Sequence, residues 1–205
     1  FVVDHNLDAG FAFDGDADRC LAVDENGNLI DGDGIMYIGA KYLKEIGQLK
    51  DNKVVVTVMS NLGLMNALAD NNMTAVVTPV GDKYISQELM EHKYGIGGEQ
   101  SGHIIFNKYA TTGDGILTAI VMTSIFVSKK CPFSNLTRGL EIMPQRLKNI
   151  RTDKKDVIDA DPVIKAFADD MNKRLDGSGR LLLRKSGTEP ILRIMVEAKT
   201  YEDCD

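Results

Sequence analysis

Phe11-Ala12-Phe13-Asp14-Gly15-Asp16-Ala17-Asp18-Arg19 is the stretch on which the prediction of fold and chemistry depends. It places three carboxylates at alternate positions between two short apolar runs, the second of which is 20–23. Apolar runs this short, bounded by turn residues, predict two strands joined by a loop. Small residues between the aspartates let the backbone bend until the three carboxylates face one centre.

Three acidic oxygen donors around one centre suit a hard cation such as Mg2+, with phosphate and water oxygens as further ligands. Asp14, Asp16 and Asp18 are therefore the candidate metal ligands, and Arg19 would lie beside a phosphate held by the metal. A solvated acidic hairpin remains an alternative. So does an aspartyl-phosphate phosphatase in which Asp14 is the nucleophile and Asp16 the acid. A calcium-binding EF-hand is excluded because Arg19 stands where its loop requires glycine.

The composition is that of an ordinary globular protein, with 205 residues, 43% hydrophobic and 26% charged. The net charge of -6 argues against a nucleic-acid partner. Three cysteines without framework spacing favour a reducing, cytoplasmic setting. We expect no membrane association, because the longest apolar stretch, 116–127, is too short for a span and no signal peptide is recognisable. The first residue is Phe and the last five look like an unfinished element, so we expect a piece of a longer polypeptide.

Strands and helices alternate after this hairpin. Helices are predicted after Asp31, after a capping Ser60, over 82–92 and from about 113 to 127, the last apolar on most sides and therefore buried. Strands are predicted at 53–58, 74–78 and 103–106, and a glycine-rich segment at 95–98 leads to the last of them. This pattern predicts an α/β fold, a three-layer α/β/α domain with a mixed, largely parallel sheet.

The pattern changes near residue 131. A strand at 147–150, a helix with one apolar face and two strands at 180–184 and 191–197 predict a smaller α+β domain. The apolar face of that helix consists of Val163, Ile164, Phe167, Ala168 and Met171. We place the domain boundary near residue 140.

Two further loops carry candidate site residues. The segment 98–103 packs a carboxylate, an amide, a hydroxyl and an imidazole into a glycine-framed turn that can pair with the hydroxyls of a sugar ring. The segment 184–190, with Arg193 close behind, gathers hydroxyls, cations and backbone N–H groups suited to a phosphate dianion. An ordinary polar turn is the alternative for each. Segments 78–83 and 111–115 precede helices, where ligands of open α/β sheets bind, although capping alone would also explain them.

The motifs Asp-Gly-Asp-Ala-Asp-Arg, Gly-Glu-Gln-Ser-Gly-His and Arg-Lys-Ser-Gly-Thr-Glu-Pro, in this order, resemble those of the α-D-phosphohexomutase superfamily over essentially the whole chain. Gln100 and the runs 57–63 and 112–115 are similar to its branch acting on glucosamine phosphates. The resemblance implies a four-domain enzyme that interconverts glucosamine 6-phosphate and glucosamine 1-phosphate, on the route to UDP-N-acetylglucosamine. Catalysis in the superfamily proceeds through a phosphoserine and a bisphosphate intermediate. A phosphomannomutase or phosphoglucomutase of the same superfamily is the alternative.

The resemblance also implies the domain order. Residues 1–30 would end the second domain and carry the metal loop. Residues 31–140 would form the third domain, which binds the sugar. Residues 141–205 would form a truncated fourth domain, which binds phosphate and has a fold similar to that of the TATA-box-binding protein.

The resemblance assigns roles to the candidate residues. Mg2+ would be held by Asp14, Asp16 and Asp18, with Arg19 stabilising the transferring phosphoryl group. Recognition of the sugar hydroxyls falls to Glu99 and Ser101, supported by Gln100 and His103. The phosphate that does not react would be held by Arg184, Ser186, Gly187, Thr188 and Arg193. Asp82 and Lys83 are further candidates, Lys83 standing where the superfamily has arginine, which alters the geometry of the cation.

The superfamily's phosphoserine loop, a Thr/Ser-Ala-Ser-His-Asn-Pro type motif, has no counterpart in these residues. We therefore expect the chain alone to be inactive and its parent, with the N-terminal domains, to be active. The full-length enzyme could form a homodimer. A non-catalytic module that binds sugar phosphates is the remaining alternative.

Overall fold

A computed structural model describes residues 1–153, 161–175, 177–186 and 189–205. The chain divides into two compact units, Phe1–Glu141 and Ile142–Asp205. The strands of the first unit are β1 Ala9–Phe13, β2 Cys20–Asp24, β3 Leu29–Ile30, β4 Lys53–Thr57, β5 Thr74–Thr78, β6 Ile96–Gly98 and β7 Ile104–Phe106. Its helices are α1 Gly32–Glu45, α2 Leu62–Asp70, α3 Asp82–His92 and α4 Gly115–Lys129, with 3-10 turns at Lys50–Asn52 and Phe133–Thr137.

The first unit contains two sheets. Strands β1, β2 and β3 form an antiparallel sheet in which Phe13 pairs with Cys20, so the predicted hairpin around the acidic loop is confirmed. The second sheet has the order β5-β4-β6-β7, with β4 parallel to both neighbours and β7 antiparallel to β6. The predicted mixed, largely parallel sheet is confirmed.

Strand β4 explains the three layers of this unit. Its side chains alternate between the two faces of the sheet, as in any strand. Val54 and Val56 join a core formed with α1, α2 and α4, whereas Val55 joins a second core with Ile85 and Leu89 of α3. Helices therefore cover both faces of the sheet, which confirms the predicted α/β/α arrangement.

Strand β6 occupies most of the glycine-rich segment 95–98, for which the sequence predicted no element. Gly97 pairs with Val55 in the centre of the sheet. A Cβ atom at Gly97 would lie 2.8 Å from Val55 Cβ and 3.0 Å from Ile85 Cγ2. Glycine at this position is the consequence of close packing under α3, and does not mark a turn.

The beginning of α2 corrects the predicted cap. Asn61 is the N-cap, and its side chain accepts a hydrogen bond from Gly63 N at 2.8 Å. Ser60 lies one residue earlier, where its N–H donates to Thr57 O at 3.0 Å and its side chain is buried. The chain is therefore still in a turn at Ser60, and the helix begins after Asn61.

Helix α4 is less buried than its composition predicts. Thr118, Met122 and Ile125 face the core, but Ile116, Ile120 and Val127 are 56%, 61% and 64% exposed. The prediction of burial on most sides is wrong because the neighbouring elements of this unit pack against one side of the helix only. Across the described ranges, no helix combines the length and apolar character that a membrane span needs.

The second unit is an antiparallel sheet with a covering helix. Its elements are β8 Gln145–Arg151, α5 Pro162–Arg174, β9 Gly179–Lys185, β10 Ile191–Ala198 and α6 Tyr201–Cys204, and its strand order is β8-β10-β9. Helix α5 is tied to β9 because the Asn172 side chain bonds both backbone groups of Leu181. Of the predicted apolar face, Val163 and Phe167 are exposed.

Candidate active site

The loop between β1 and β2 gathers three carboxylates. One oxygen each of Asp14, Asp16 and Asp18 can be chosen so that all lie within 4.8 Å of one another. The loop closes through Ala17, whose φ is 58° and whose N–H donates to Asp14 O at 3.3 Å. Three anionic oxygens this close repel each other unless a cation lies between them. This all-oxygen donor set fits Mg2+.

Arg19 lies at the rim of this cluster. Its backbone N–H donates to Asp14 Oδ1 at 3.3 Å. Its Nε lies 3.7 Å from Asp14 Oδ2 and 3.8 Å from Asp18 Oδ1. The side chain remains about half exposed, at 48%, so the guanidinium is held near the carboxylates and is still open to an anion.

The candidate sugar loop, residues 99–103, lies directly beside the candidate metal loop, residues 14–19. Cys20 N donates to Gly102 O at 3.0 Å, and Gly32 N donates to Gln100 O at 2.9 Å. A Cβ at Gly32 would lie 2.0 Å from Glu99 O. A Cβ at Gly102, whose φ is 98°, would lie 2.5 Å from Cys20 O. These backbone approaches require glycine and hold the 99–103 loop against the hairpin and the start of α1.

The side chains of the 99–103 loop have different surroundings. Glu99 Oε1 accepts a hydrogen bond from Gly81 N at 3.2 Å, which brings the 78–83 loop to the site. Ser101 is exposed at the tip. Gln100 hydrogen-bonds the carboxylate of Asp31. Burial raises the pKa of Asp31, although hydrogen bonds from Gly34 N and from Gln100 oppose that rise.

Asp82 and Lys83 are exposed on the other side of Gly81. Lys83 N donates to Asp82 Oδ1 at 2.7 Å, and Lys83 Nζ lies 4.7 Å from the centre of the Tyr84 ring. Their loop is therefore adjacent to Glu99, while the Lys83 ammonium is stacked on a neighbouring aromatic ring.

His103 is buried between two loops. Its Nδ1 lies 3.1 Å from Asp18 Oδ2, and Gly113 N donates to its Nε2 at 3.1 Å. Both ring nitrogens thus have partners within the protein. The candidate sugar-supporting histidine is in direct contact with a candidate metal ligand.

The start of α4 lies in the segment 111–115, which the sequence named as a ligand-binding or capping loop, and it makes contacts that the sequence did not predict. Asp114 is the N-cap, accepting from Leu117 N at 2.8 Å, as the capping alternative predicts. Gly113 contacts His103, and Gly115 N donates to Ala17 O at 2.9 Å, inside the metal loop. The two glycines that flank the capping aspartate were the sequence signal for close backbone contacts here. Their contact partners, His103 and Ala17, could not be predicted because they are distant in sequence.

The second unit carries the candidate phosphate residues. Arg184 on β9 and Arg193 on β10 are direct cross-strand partners on one face of the sheet. Arg193 also lies 3.7 Å from Glu189, and Ser186 Oγ accepts from Glu189 N at 3.2 Å. Gly187 and Thr188, which were also predicted to bind phosphate, lie outside the described residues.

Two directly opposed cations destabilise a strand pair. The pair Arg184 and Arg193 is therefore a feature that an anion would stabilise, in a chain whose net charge is -6. A phosphate can accept hydrogen bonds from both guanidinium groups at once.

Sequence profiles of one family match both units. The profile described as phosphoglucomutase/phosphomannomutase, alpha/beta/alpha domain III, matches residues 31–142, more than half of the chain. The profile described as phosphoglucomutase/phosphomannomutase, C-terminal domain, matches residues 147–205.

Curated relatives share the whole sequence. The chain is 52% identical over 204 residues to the phosphoglucosamine mutase of Lachnoclostridium phytofermentans, and 48% identical over 205 residues to that of Bacillus subtilis. Each alignment covers 100% of this chain and 46% of the relative. The chain thus spans about half the length of the curated relatives it matches.

Solved structures agree in fold. An Aspergillus fumigatus N-acetylphosphoglucosamine mutase, solved with GlcNAc-6P and magnesium, superimposes with a TM-score of 0.78 at 23% identity, over 95% of this chain and 46% of that one. A phosphoglucomutase/phosphomannomutase family protein from Burkholderia thailandensis gives a TM-score of 0.79 at 21% identity, over 99% of this chain and 45% of that one. By its profile matches, and in agreement with its motifs and fold, the chain belongs to the phosphoglucomutase/phosphomannomutase family.

Proposed function

We propose that this chain is the C-terminal half of a phosphoglucosamine mutase, which interconverts glucosamine 6-phosphate and glucosamine 1-phosphate in UDP-N-acetylglucosamine biosynthesis. The proposal rests on one observation above all: the three carboxylates of Asp14, Asp16 and Asp18 converge with Arg19 at their rim. The curated relatives, at about half identity over the whole chain, carry the same activity in their names. On this proposal the domains are 1–30, 31–140 and 141–205, as the resemblance implies.

Magnesium is the proposed cofactor, held by Asp14, Asp16 and Asp18. The oxygen donor set supports this choice, and a relative of the same fold was solved with magnesium. Bound there, Mg2+ would neutralise negative charge on a phosphoryl group. Arg19 adds a second positive group at the rim, where charge develops during phosphoryl transfer.

The remaining candidate residues position the substrate. Glu99 and Ser101 would pair with sugar hydroxyls, while Arg184 and Arg193 would hold the phosphate that is not reacting. In the full cycle a serine upstream of this chain gives its phosphoryl group to the free hydroxyl of the substrate. The bisphosphate then returns its other phosphate to the serine. Precise positioning accounts for much of such catalysis.

Other interpretations are less well supported. A phosphomannomutase or phosphoglucomutase would be expected to have relatives of that name at this level of identity, and the relatives compared are phosphoglucosamine mutases. An aspartyl-phosphate phosphatase using Asp14 leaves the arginine pair of β9 and β10 without a role. A sensor that binds sugar phosphates without turnover remains testable. We also propose a cytoplasmic location, homodimerisation of the full-length enzyme and no nucleic-acid or membrane partner.

Calorimetric titration of this chain tests the binding roles. Glucosamine 6-phosphate, glucose 6-phosphate and inorganic phosphate are compared for wild type and Arg193→Ala. We expect preference for the amino sugar phosphate and loss of binding in the variant. Binding no tighter than that of phosphate, unchanged by the substitution, would contradict these roles for the isolated chain.

A mutase assay with Mg2+ and glucose 1,6-bisphosphate tests the catalytic proposal. We expect turnover from the full-length parent and none from this chain, because the phosphoserine motif is missing from its sequence. An inactive parent would contradict the proposed function. An active chain would show that the upstream serine is not required.

A further inference from the structure

We propose that His103 is a positioning residue for the metal loop: its Nδ1–H tautomer holds the carboxylate of Asp18, and the backbone of Gly113 fixes that tautomer. The inference rests on the proposed function, since it assigns Asp18 to a metal. It goes further by giving the buried imidazole a task separate from sugar recognition.

The hydrogen-bond partners of the ring determine its tautomer. Gly113 N–H can only donate, so Nε2, at 3.1 Å, must accept with its lone pair. A neutral imidazole carries one N–H, which is then at Nδ1. That N–H points to Asp18 Oδ2 at 3.1 Å, where it donates to a carboxylate oxygen.

The ring has little room for another orientation. His103 is 5% exposed. A Cβ at Gly113 would lie 2.4 Å from His103 Cε1 and 2.5 Å from Nε2, so the backbone of the 111–115 loop lies directly against the ring. Burial and the close approach of the Gly113 backbone together restrict the rotation of the imidazole ring.

The hydrogen bond from His103 restricts the carboxylate of Asp18, a candidate metal ligand. The side chains of Asp14 and Asp18 are about equally exposed, at 36% and 38%, but the Asp18 carboxylate is the one that contacts the buried ring of His103. With Oδ2 bound to His103 and Oδ1 lying 3.8 Å from Arg19 Nε, the carboxylate of Asp18 cannot turn freely. A carboxylate fixed before the metal arrives loses less conformational entropy on binding, and such supporting contacts typically change metal affinity 10- to 100-fold.

The contact also joins loops that are distant in sequence. His103 follows the glycine of the sugar loop, Asp18 lies 85 residues earlier, and Gly113 precedes the cap of α4. One side chain therefore connects the candidate sugar loop, the metal loop and the start of α4.

Two substitutions separate the two bonds of the ring. In His103→Asn the amide nitrogen lies near the position of Nδ1 and can still donate to Asp18. In His103→Gln the amide group reaches the position of Nε2, where its oxygen accepts from Gly113 N while the donor to Asp18 is lost. His92→Gln, at an exposed histidine paired with Glu88, is the control.

The experiment is a titration of this chain with Mn2+, followed by electron paramagnetic resonance, because carboxylate sites that take Mg2+ also take Mn2+. We expect a Kd about 10- to 100-fold higher for His103→Gln than for wild type. We expect near wild-type affinity for His103→Asn and His92→Gln. Urea unfolding of each variant separates loss of affinity from loss of folding. Nitrogen NMR of the metal-free wild type reports which ring nitrogen carries the proton.

Equal affinity of His103→Gln and wild type, or a proton on Nε2, would overturn the inference and leave the proposed function intact. Equal losses in the Asn and Gln variants would also overturn it, since the effect would then not follow the Nδ1 donor. Failure of wild type to bind Mn2+, or equal binding by wild type and Asp14→Asn, would instead contradict the aspartate metal site on which the inference rests. The mutase assay of the full-length parent then decides the proposed function separately.

Discussion

The two candidate sites of this chain are held by different kinds of interaction. In the first unit the loops at 14–19, 99–103 and 113–115 are joined by backbone hydrogen bonds and by glycines that admit no side chain. In the second unit, the described part of the phosphate site depends on two opposed arginine side chains, Arg184 and Arg193. The geometry of the first site therefore depends on the backbone packing of its unit, whereas the second site depends on two charged side chains on the surface of a sheet.

This difference predicts where stability and binding can be separated. We call the backbone contacts among the loops at 14–19, 99–103 and 113–115 the loop junction. Substitutions there should lower the free energy of unfolding, because packing and ligand geometry depend on the same backbone. Removing Arg193 from the second unit should mainly cost binding free energy, because its repulsion with Arg184 offsets its weak, exposed ion pair with Glu189 when no other anion is bound.

The largest effect is expected at the loop junction. Gly102→Ala combines a left-handed φ of 98° with a Cβ at 2.5 Å from Cys20 O. We expect the free energy of unfolding to fall by about 2–4 kcal/mol, from backbone strain and overpacking together. Gly47→Ala is the matched control: its φ is 68° but nothing lies within 4 Å of its Cβ position, so about 1 kcal/mol is expected. Urea unfolding of both proteins measures the difference, and equal losses would contradict close approach as the cause.

The second effect concerns the arginine pair. We expect Arg193→Ala to weaken phosphate binding by about 10- to 100-fold, the usual loss for a charge-assisted hydrogen bond, without lowering the unfolding midpoint. Arg193→Lys should recover only part of the affinity, because it keeps the charge but loses the forked donor geometry. Arg146→Ala, which removes an arginine stacked on Tyr201 in the same unit, should leave phosphate binding unchanged. A clear loss of stability in Arg193→Ala would show that this site too is built into its fold.

A third test compares two cysteines of the first unit. Cys20 begins β2 beside the sugar loop, and burial raises its pKa to about 11. Cys131 is partly exposed. At pH 8 we expect a thiol reagent to modify Cys131 at least about 10-fold faster than Cys20, because the thiolate is the reactive form. Cys131→Ser should remove the fast phase, and Cys204→Ser, which removes the third thiol of the chain, leaves the slow phase to Cys20. Rapid modification of Cys20 would show that the loop junction opens easily.

The smallest effect concerns Asp31, the N-cap of α1. Its folded pKa is raised by burial, so its contribution to stability is fully present below the unfolded pKa and is lost as pH rises through the folded pKa. Asp31→Asn keeps the capping oxygen and removes this titration. We expect the variant to match or slightly exceed wild type in stability at pH 7, by at most about 1 kcal/mol, with the advantage shrinking at acidic pH. Thermal unfolding from pH 3 to pH 7 measures it, and a variant that loses stability only at pH 7 would contradict the sign.

Local patterns in the sequence predicted much of the fold. The ranges 74–78 and 82–92 were predicted as the strand and helix that the structure contains, because alternation and helical periodicity are properties of neighbouring residues. The acidic hairpin was predicted for the same reason, since its turn and both strands lie within about a dozen residues. The phosphate-binding role of the segment 184–190, part of which lies outside the described residues, stays a prediction.

Errors arose where a residue's surroundings come from elsewhere in the chain. Strand β6 was missed because Gly97 is small to fit beneath α3, which no neighbouring residue indicates. The exposure of Ile116 and Ile120 was missed because periodicity cannot report which faces of an apolar helix have a partner.

The sequence by itself determined the family, the strand–loop–strand form of the acidic motif and the chemistry available in each loop, because these depend on residue type and short spacing. The tertiary structure decided which loops meet, that Gly113 lies against His103, and that His103 contacts Asp18 rather than standing alone. The physical reason is that a hydrogen bond between residues far apart in sequence depends on packing of the whole unit. Its geometry therefore exists only once the sheets, α1 and α4 are assembled.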